Sequence, residues 1–160
     1  MARIALRGRL IDFVADPIAS AAAVRLVDDG LLLIDDGRIV ARGEYGPLSR
    51  ALGPDREVTD FTGCLLLPGF VDAHPHFPQL DIVASASGGL LNWLTQHTYP
   101  AEMRFADPVV CEEAARFFLD ELAANGTTSA CVLGTVHAQS VEALFTEAQA
   151  RGMRLVAGKC

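Results

Sequence analysis

Two histidines one residue apart, His74 and His76, stand in the run Asp72-Ala73-His74-Pro75-His76. Imidazole nitrogen is a good zinc donor. Donors at i and i+2 reach one ion only from an extended backbone, where alternate side chains leave on the same side; on a helix they diverge. The neighbouring prolines decide between these geometries. Pro75 pushes His74 toward β or polyproline angles, and Pro75 and Pro78 together oppose helix through the segment. Both rings could then approach a shared cation at the ~2.0 to 2.1 Å of a zinc–nitrogen bond. The competing reading of an isolated His-x-His is a surface loop that binds nothing. Position favours the metal. The pair follows the short apolar run Leu65 to Asp72, which reads as a strand buried on both faces of a parallel sheet, with Pro68 barred from the ladder. Strand C-termini are where α/β sheets place their sites.

Other patterns that could carry chemistry fall away. Cys64, Cys111, Cys131 and Cys160 stand far apart with no Cys-x-x-Cys pair, so neither a disulfide framework nor a thiolate zinc site is indicated, and free, mostly buried thiols are expected. Gly152 to Cys160 looks superficially like a phosphate-binding loop. It has one residue too many between the glycines and Cys where Ser or Thr must hold magnesium, so it reads as strand. The cytidine-deaminase type of zinc site needs His-x-Glu with Pro-Cys-x-x-Cys, and neither occurs. His137 lies just past a candidate strand, on the right face for a site, whereas His97 reads as structural or exposed and Lys159, the only lysine, as a surface residue.

Stepping along the chain, the first 62 residues read as strands and turns. Arg3 to Val14 alternates loosely, and Asp36-Gly37 between two β-prone runs is the type I′ hairpin signal. Gly46-Pro47 and Gly53-Pro54 punctuate a short connection before a strand from Val58 to Phe61. Beyond residue 62 the period changes. Asp107-Pro108 is an N-cap and N1 pair opening a helix with Val110, Ala114, Phe117, Phe118 and Leu122 on its apolar face, stopped by Asn125-Gly126. Thr128 to Leu133 is the next strand. Ser140 then caps a helix with Val141, Leu144, Phe145 and Ala148 on one face, Gly152 ends it, and Met153 to Ala157 is a third strand. The order β-α-β-α-β predicts an α/β fold with a parallel sheet and right-handed crossovers. A closed (β/α)₈ barrel takes ~250 residues, so residues 63–160 would supply about three of its eight strands. The chain reads either as a small open sheet or, because the third strand runs into the last residue, as the front of something larger. Residues 81–104 are too long for an ordinary βα connection of about two to six residues. Trp93 with Leu90, Leu91 and Leu94 reads there as the packed side of a short helix, with a lid over a pocket as the alternative.

Composition bounds the partners. The 160 residues are 51% hydrophobic and 21% charged, which excludes a disordered or collagen-like chain. With 13 Lys+Arg against 20 Asp+Glu, the net charge of −7 removes the electrostatic footprint of a nucleic-acid polymer partner. No run approaches the ~18 apolar residues of a membrane span. Arg7, Arg9 and Asp12 interrupt the stretch where a signal peptide needs unbroken apolar residues, so the cytoplasm is the expected location.

The string Pro68-Gly69-Phe70-Val71-Asp72-Ala73-His74-Pro75-His76 resembles the first metal-binding strand of the amidohydrolase superfamily. Four further segments narrow the likeness to the guanine deaminase branch. They are His76 to Gln79, Leu91 to Leu94 with Thr98 to Pro100, Asn125 to Thr128, and Gly134 to Ser140. The resemblance runs from about residue 63 to residue 160. It implies a (β/α)₈ TIM-type barrel, incomplete here, with residues 1–62 forming the β-rich N-terminal part of a small β-sandwich. It implies Zn²⁺ as cofactor, His74 and His76 as two of its ligands, and a substrate wall of His76, Phe77, Pro78 and Gln79. Gln79 would contact the guanine, and a carboxamide, both donor and acceptor, suits a base edge carrying both kinds of group. Leu80 departs from the branch, where a polar residue is frequent. The implied reaction is hydrolysis of guanine to xanthine and ammonia. No catalytic acid or base is identifiable in these residues, since the branch draws a further histidine, a glutamate and an aspartate from later strands. An isolated piece of this extent would be inactive. Two other readings stay open: another amidohydrolase acting on a cyclic amidine or amide, or a non-catalytic truncated copy. Relatives of this kind resemble homodimers, and an exposed sheet edge would promote association.

Overall fold

Alternating side chains at the N-terminus produce β1 (Arg3–Phe13), which runs antiparallel to β2 (Val24–Asp35) with Ala5 opposite Leu33 and Arg7 opposite Leu31. β3 (Arg38–Glu44) returns along β2 through the expected two-residue turn. Asp36 and Gly37 both have positive φ, 49° and 73°, as a type I′ turn demands. β4 (Val58–Leu66) lies parallel to β1, completing a four-stranded sheet in the order β3-β2-β1-β4. Residues at period two on one face (Ala5, Leu31, Leu33) form the buried centre, and Tyr45 and Leu48 pack on it. Both come from α1 (Tyr45–Arg50), a short helix where Gly46-Pro47 predicts only a connection. Pro47 is tolerated because it falls in the first turn, whose N–H groups have no intrahelical partner. Pro54 of the second expected turn lies outside the described residues. The computed structural model describes residues 3–53, 56–86 and 88–159, in two units, Met1–Pro68 and Gly69–Cys160.

The single buried strand expected from Leu65 to Asp72 is in fact two pieces. Leu65 and Leu66 still pair with Arg9 and Leu10 of β1, so the first unit extends past the expected boundary at residue 62. Pro68, which has no N–H for a ladder, and Gly69 then separate β4 from β5 (Phe70–Asp72). β5 is exposed, Phe70 by 56% and Val71 by 72%, where burial on both faces was expected.

In the second unit β5, β6 (Thr127–Leu133) and β7 (Arg154–Gly158) form a parallel sheet in that order, which is the expected β-α-β-α-β arrangement. The first crossover contains α4 (Pro108–Ala124), whose N-cap Asp107 accepts a 2.9 Å hydrogen bond from Val109 N. Its buried face is Cys111, Ala115, Phe118 and Leu119. Of the predicted stripe, Phe118 is in this core and Val110, Ala114 and Leu122 pack against it, while Phe117 points outward at 56% exposure. The second crossover is α5 (Ala138–Arg151), ended by Gly152 in the left-handed region at φ 67°. Ser140 is not its N-cap. His137 is, and Ser140 sits in the first turn, buried, donating from Oγ to His137 O at 2.7 Å. Leu144 and Ala148 follow it at intervals of four on the buried face, while Phe145 is exposed. Alternation along β6 buries Ala130 and Val132 and turns Cys131 outward. Cys64 is exposed too, so of the described thiols only Cys111 is buried, against the expectation for cysteines.

Residues 81–104 are a succession of short turns. A 3₁₀ helix (Phe77–Ile82) leads to α2 (Leu90–Trp93), a π-helical turn (Leu94–Thr98), α3 (Tyr99–Met103) and a second 3₁₀ turn (Arg104–Ala106). Leu90 and Leu91 are 70% and 78% exposed, so they do not form the packed side expected for this helix. Among the described residues no helix is long and apolar enough to cross a membrane.

Candidate metal and ligand site

The site begins where β5 stops. Asp72 Oδ1 accepts from His74 N at 3.0 Å, a local turn that ends the strand and bends the chain. The chain then rejoins the sheet. Leu133 N donates to Pro75 O at 2.9 Å, and His76 pairs with Leu133 as an isolated parallel bridge at the C-terminal end of β6. His76 is extended, with φ −115° and ψ 94°. His74 comes off the bend and His76 off the extended residue that rejoins the sheet, and the two imidazoles converge. His74 Nε2 and His76 Nε2 are 3.3 Å apart, with ring centroids 5.2 Å apart and planes tilted by 56°.

Alternation from His76 sends Phe77 the other way. Its ring is wholly buried, edge-on to Phe105 at 5.3 Å and tilted against Phe118 at 5.9 Å. Pro78, also buried, opens the 3₁₀ helix, where a missing N–H costs nothing; its opposition to helix stops short of this turn. Phe77 and Pro78, expected on the substrate wall, thus anchor the loop to the core beneath α4. Together with Leu80, Arg104, Phe105 and Phe117 they border a cavity of about 290 Å³ whose lining includes none of His74, His76 and Gln79. Leu80, the departure noted in the sequence, packs against that core.

Gln79 belongs to the histidines. One turn after His76, its backbone N donates to His76 O at 3.2 Å and its side chain folds back over the ring. Gln79 Nε2 lies 3.2 Å from His76 Nδ1 and 3.0 Å from Glu102 Oε1. A carboxylate only accepts, so the amide nitrogen must be the atom facing Glu102. Glu102, on α3, is the site residue that sequence reasoning missed. It lies 23 positions from Gln79, in a segment without a motif, and nothing in its local pattern marks it.

His137 lies at the C-terminal end of β6, the same edge of the sheet, and its backbone N donates to Thr135 Oγ1 at 3.0 Å. No hydrogen bond among the described residues joins its ring to His74 or His76. His97 is half-buried in the π-helical turn, and Lys159 is exposed.

The donor pair fits a zinc ion by geometry. Two nitrogens each ~2.05 Å from a tetrahedral centre are separated by twice that length times the sine of half of ~109°, which is ~3.3 to 3.4 Å. The observed 3.3 Å matches that separation. Imidazole is also the right donor type. Among the described residues no group of three His, Cys, Asp or Glu side chains comes together that could hold an ion. Ligation through Nε2 would leave the ring proton of a neutral His76 on Nδ1, which could then no longer accept from Gln79, and Glu102 would be the amide nitrogen's remaining acceptor.

Residues 65–160 match the model of the amidohydrolase family. The chain is 43% identical over 158 residues to the guanine deaminase of Escherichia coli, covering 97% of this chain and 36% of that protein. It is 40% identical over 157 residues to a "Probable guanine deaminase" of Deinococcus radiodurans, with coverage of 96% and 36%. The solved E. coli guanine deaminase superposes with a TM-score of 0.92, covering 98% of this chain and 37% of that one. The guanine deaminase of Bradyrhizobium japonicum does so with the same score at 36% identity, with coverage of 99% and 35%. The chain thus spans about a third of the length of the relatives it matches.

Proposed function

From the premise that this chain belongs to the amidohydrolase family, we propose that it forms the N-terminal part of a guanine deaminase. In this reading it contributes two zinc ligands and a base contact to a (β/α)₈ barrel, of which β5, β6 and β7 are the first three strands. The 3.3 Å convergence of His74 Nε2 and His76 Nε2 carries the reading, because it is the spacing that tetrahedral zinc requires. When bound, zinc supplies the Lewis acidity that makes a nucleophile from water at neutral pH, lowering its pKa from 15.7 toward ~7. The reaction adds water across the amino-bearing carbon of guanine, breaks that carbon–nitrogen bond, and releases ammonia and xanthine.

This chain's own residues do the holding. His74 and His76 present their Nε2 atoms from a stretch fixed by the His76–Leu133 bridge and by Phe77 in the core. Gln79, beside His76, offers the carboxamide that reads the base. A third protein ligand, a proton shuttle and donors for the developing charge are required as well. With about a third of the relatives' length and no three-residue ligand cluster among the described residues, the 160 residues alone do not turn over guanine.

An ammonia-release assay tests this. The whole protein is expected to act on guanine in preference to adenine and cytosine, and Gln79→Ala to lose that preference. Turnover by the 160 residues alone at ordinary rates, or a whole protein that prefers another cyclic amidine, would overturn the proposal.

A further inference from the structure

We propose that Glu102 is a positioning residue that sets which end of the Gln79 carboxamide faces the ligand. This rests on the reading of Gln79 as a base contact. Three observations carry it. The 3.0 Å contact between Gln79 Nε2 and Glu102 Oε1 orients the amide unambiguously, since a carboxylate cannot donate. Its other neighbour, His76 Nδ1 at 3.2 Å, gives up the amide once His76 binds a metal through Nε2, leaving Glu102 as the amide's anchor. Finally, the two partners are pre-placed by one ring pair. Phe77 sits two residues before Gln79, Phe105 three residues after Glu102, and their rings pack edge to face at 5.3 Å in the core. Arg104, the nearest cation in sequence, is engaged elsewhere, with Asp81 at 2.6 Å, and among the described residues Glu102 has no ion pair of its own.

With one N–H of its amide held by Glu102, Gln79 keeps Oε1 turned away from that carboxylate and free to accept. At the position facing Oε1 the site accepts a hydrogen bond from the ligand, and there it favours a purine edge with a ring N–H or an exocyclic amine over a bare ring nitrogen. A ligand with an acceptor at that position would meet oxygen against a lone pair.

The test uses the whole zinc-loaded protein and reads guanine kinetics, zinc content and the side-chain amide NMR signals of Gln79, assigned by their disappearance in Gln79→Leu. Glu102→Ala is expected to raise KM about tenfold, equivalent to about 1.4 kcal/mol, with kcat within about twofold, zinc content unchanged and the amide signals displaced. Glu102→Gln keeps a carbonyl acceptor and is expected to recover most of both effects. An unmoved KM in Glu102→Ala overturns the proposal. So does a loss of zinc and kcat in Glu102→Gln as well, which would mark a merely structural role. Should the parent protein not act on guanine, the activity reading fails separately, and the amide signals decide this one: displaced in Glu102→Ala they support it, unmoved they overturn it.

Discussion

Truncating Phe77 separates the two roles that its position next to His76 allows. If the ring lined a base-binding wall, Phe77→Ala would weaken ligand binding and leave stability nearly unchanged. The structure places the ring at 0% exposure between Phe105 and Phe118. Deleting a buried phenylalanine down to Ala costs about 3 to 5 kcal/mol, part of it the cavity that the surroundings cannot refill. The edge-to-face contact with Phe105 adds about 0.5 to 1.5 kcal/mol beyond area burial, which puts the expectation at the upper end, about 4 to 5 kcal/mol. Phe77→Leu, which retains much of the volume, should cost about 1 to 2 kcal/mol. Urea unfolding followed by circular dichroism and by the fluorescence of Trp93, the single tryptophan, measures this, provided that the slope with denaturant stays constant. A loss below about 1 kcal/mol in Phe77→Ala accompanied by a raised KM would refute the core assignment. It would also remove the anchor that holds His76 and Gln79 in register.

Two further predictions concern the framework. Asp107→Ala removes the side-chain cap on Val109 N and should lower stability by about 1 kcal/mol, measurable as a fall in the urea midpoint, while Asp107→Asn should lose far less. In the first unit the hydrogen bond from Arg25, reinforced by Arg42, holds the Asp12 carboxyl below the usual carboxylate range. A depressed folded-state pKa means stabilisation that is present above the unfolded value of ~3.9 and lost as pH falls through the folded one. Asp12→Asn should therefore flatten the acid limb of the stability profile below about pH 4 and leave its neutral-to-alkaline limb parallel to the parent's; added salt should shrink the difference.

Where local chemistry dictated conformation, the sequence was readable. Asp36-Gly37 makes the hairpin, Asp107-Pro108 starts α4, Gly152 stops α5, and between Pro75 and Pro78 His76 sits on extended backbone, whereas His74 falls in the bend that follows β5. Tertiary choices were less legible. On α4 the predicted Val110, Ala114, Phe118 and Leu122 reach the core, but Cys111 and Leu119 fill it where Phe117 was expected, because several apolar residues compete for one face. The apolar run Leu65 to Asp72 hides its division between two sheets, since periodicity cannot say which neighbour a strand will find. Phe77 belongs with the core by alternation with His76, an inference available from the sequence but displaced by its likeness to a substrate wall. Glu102 was out of reach, because only packing brings α3 to Gln79.

Zinc affinity, measured against a competing chelator, shows whether His74 and His76 hold one ion jointly. In the whole folded protein His74→Ala and His76→Ala are each expected to weaken zinc strongly and to a similar degree. The double variant should fall short of the sum of the two losses, since both side chains serve one ion. Undiminished zinc affinity in either single variant would contradict joint ligation.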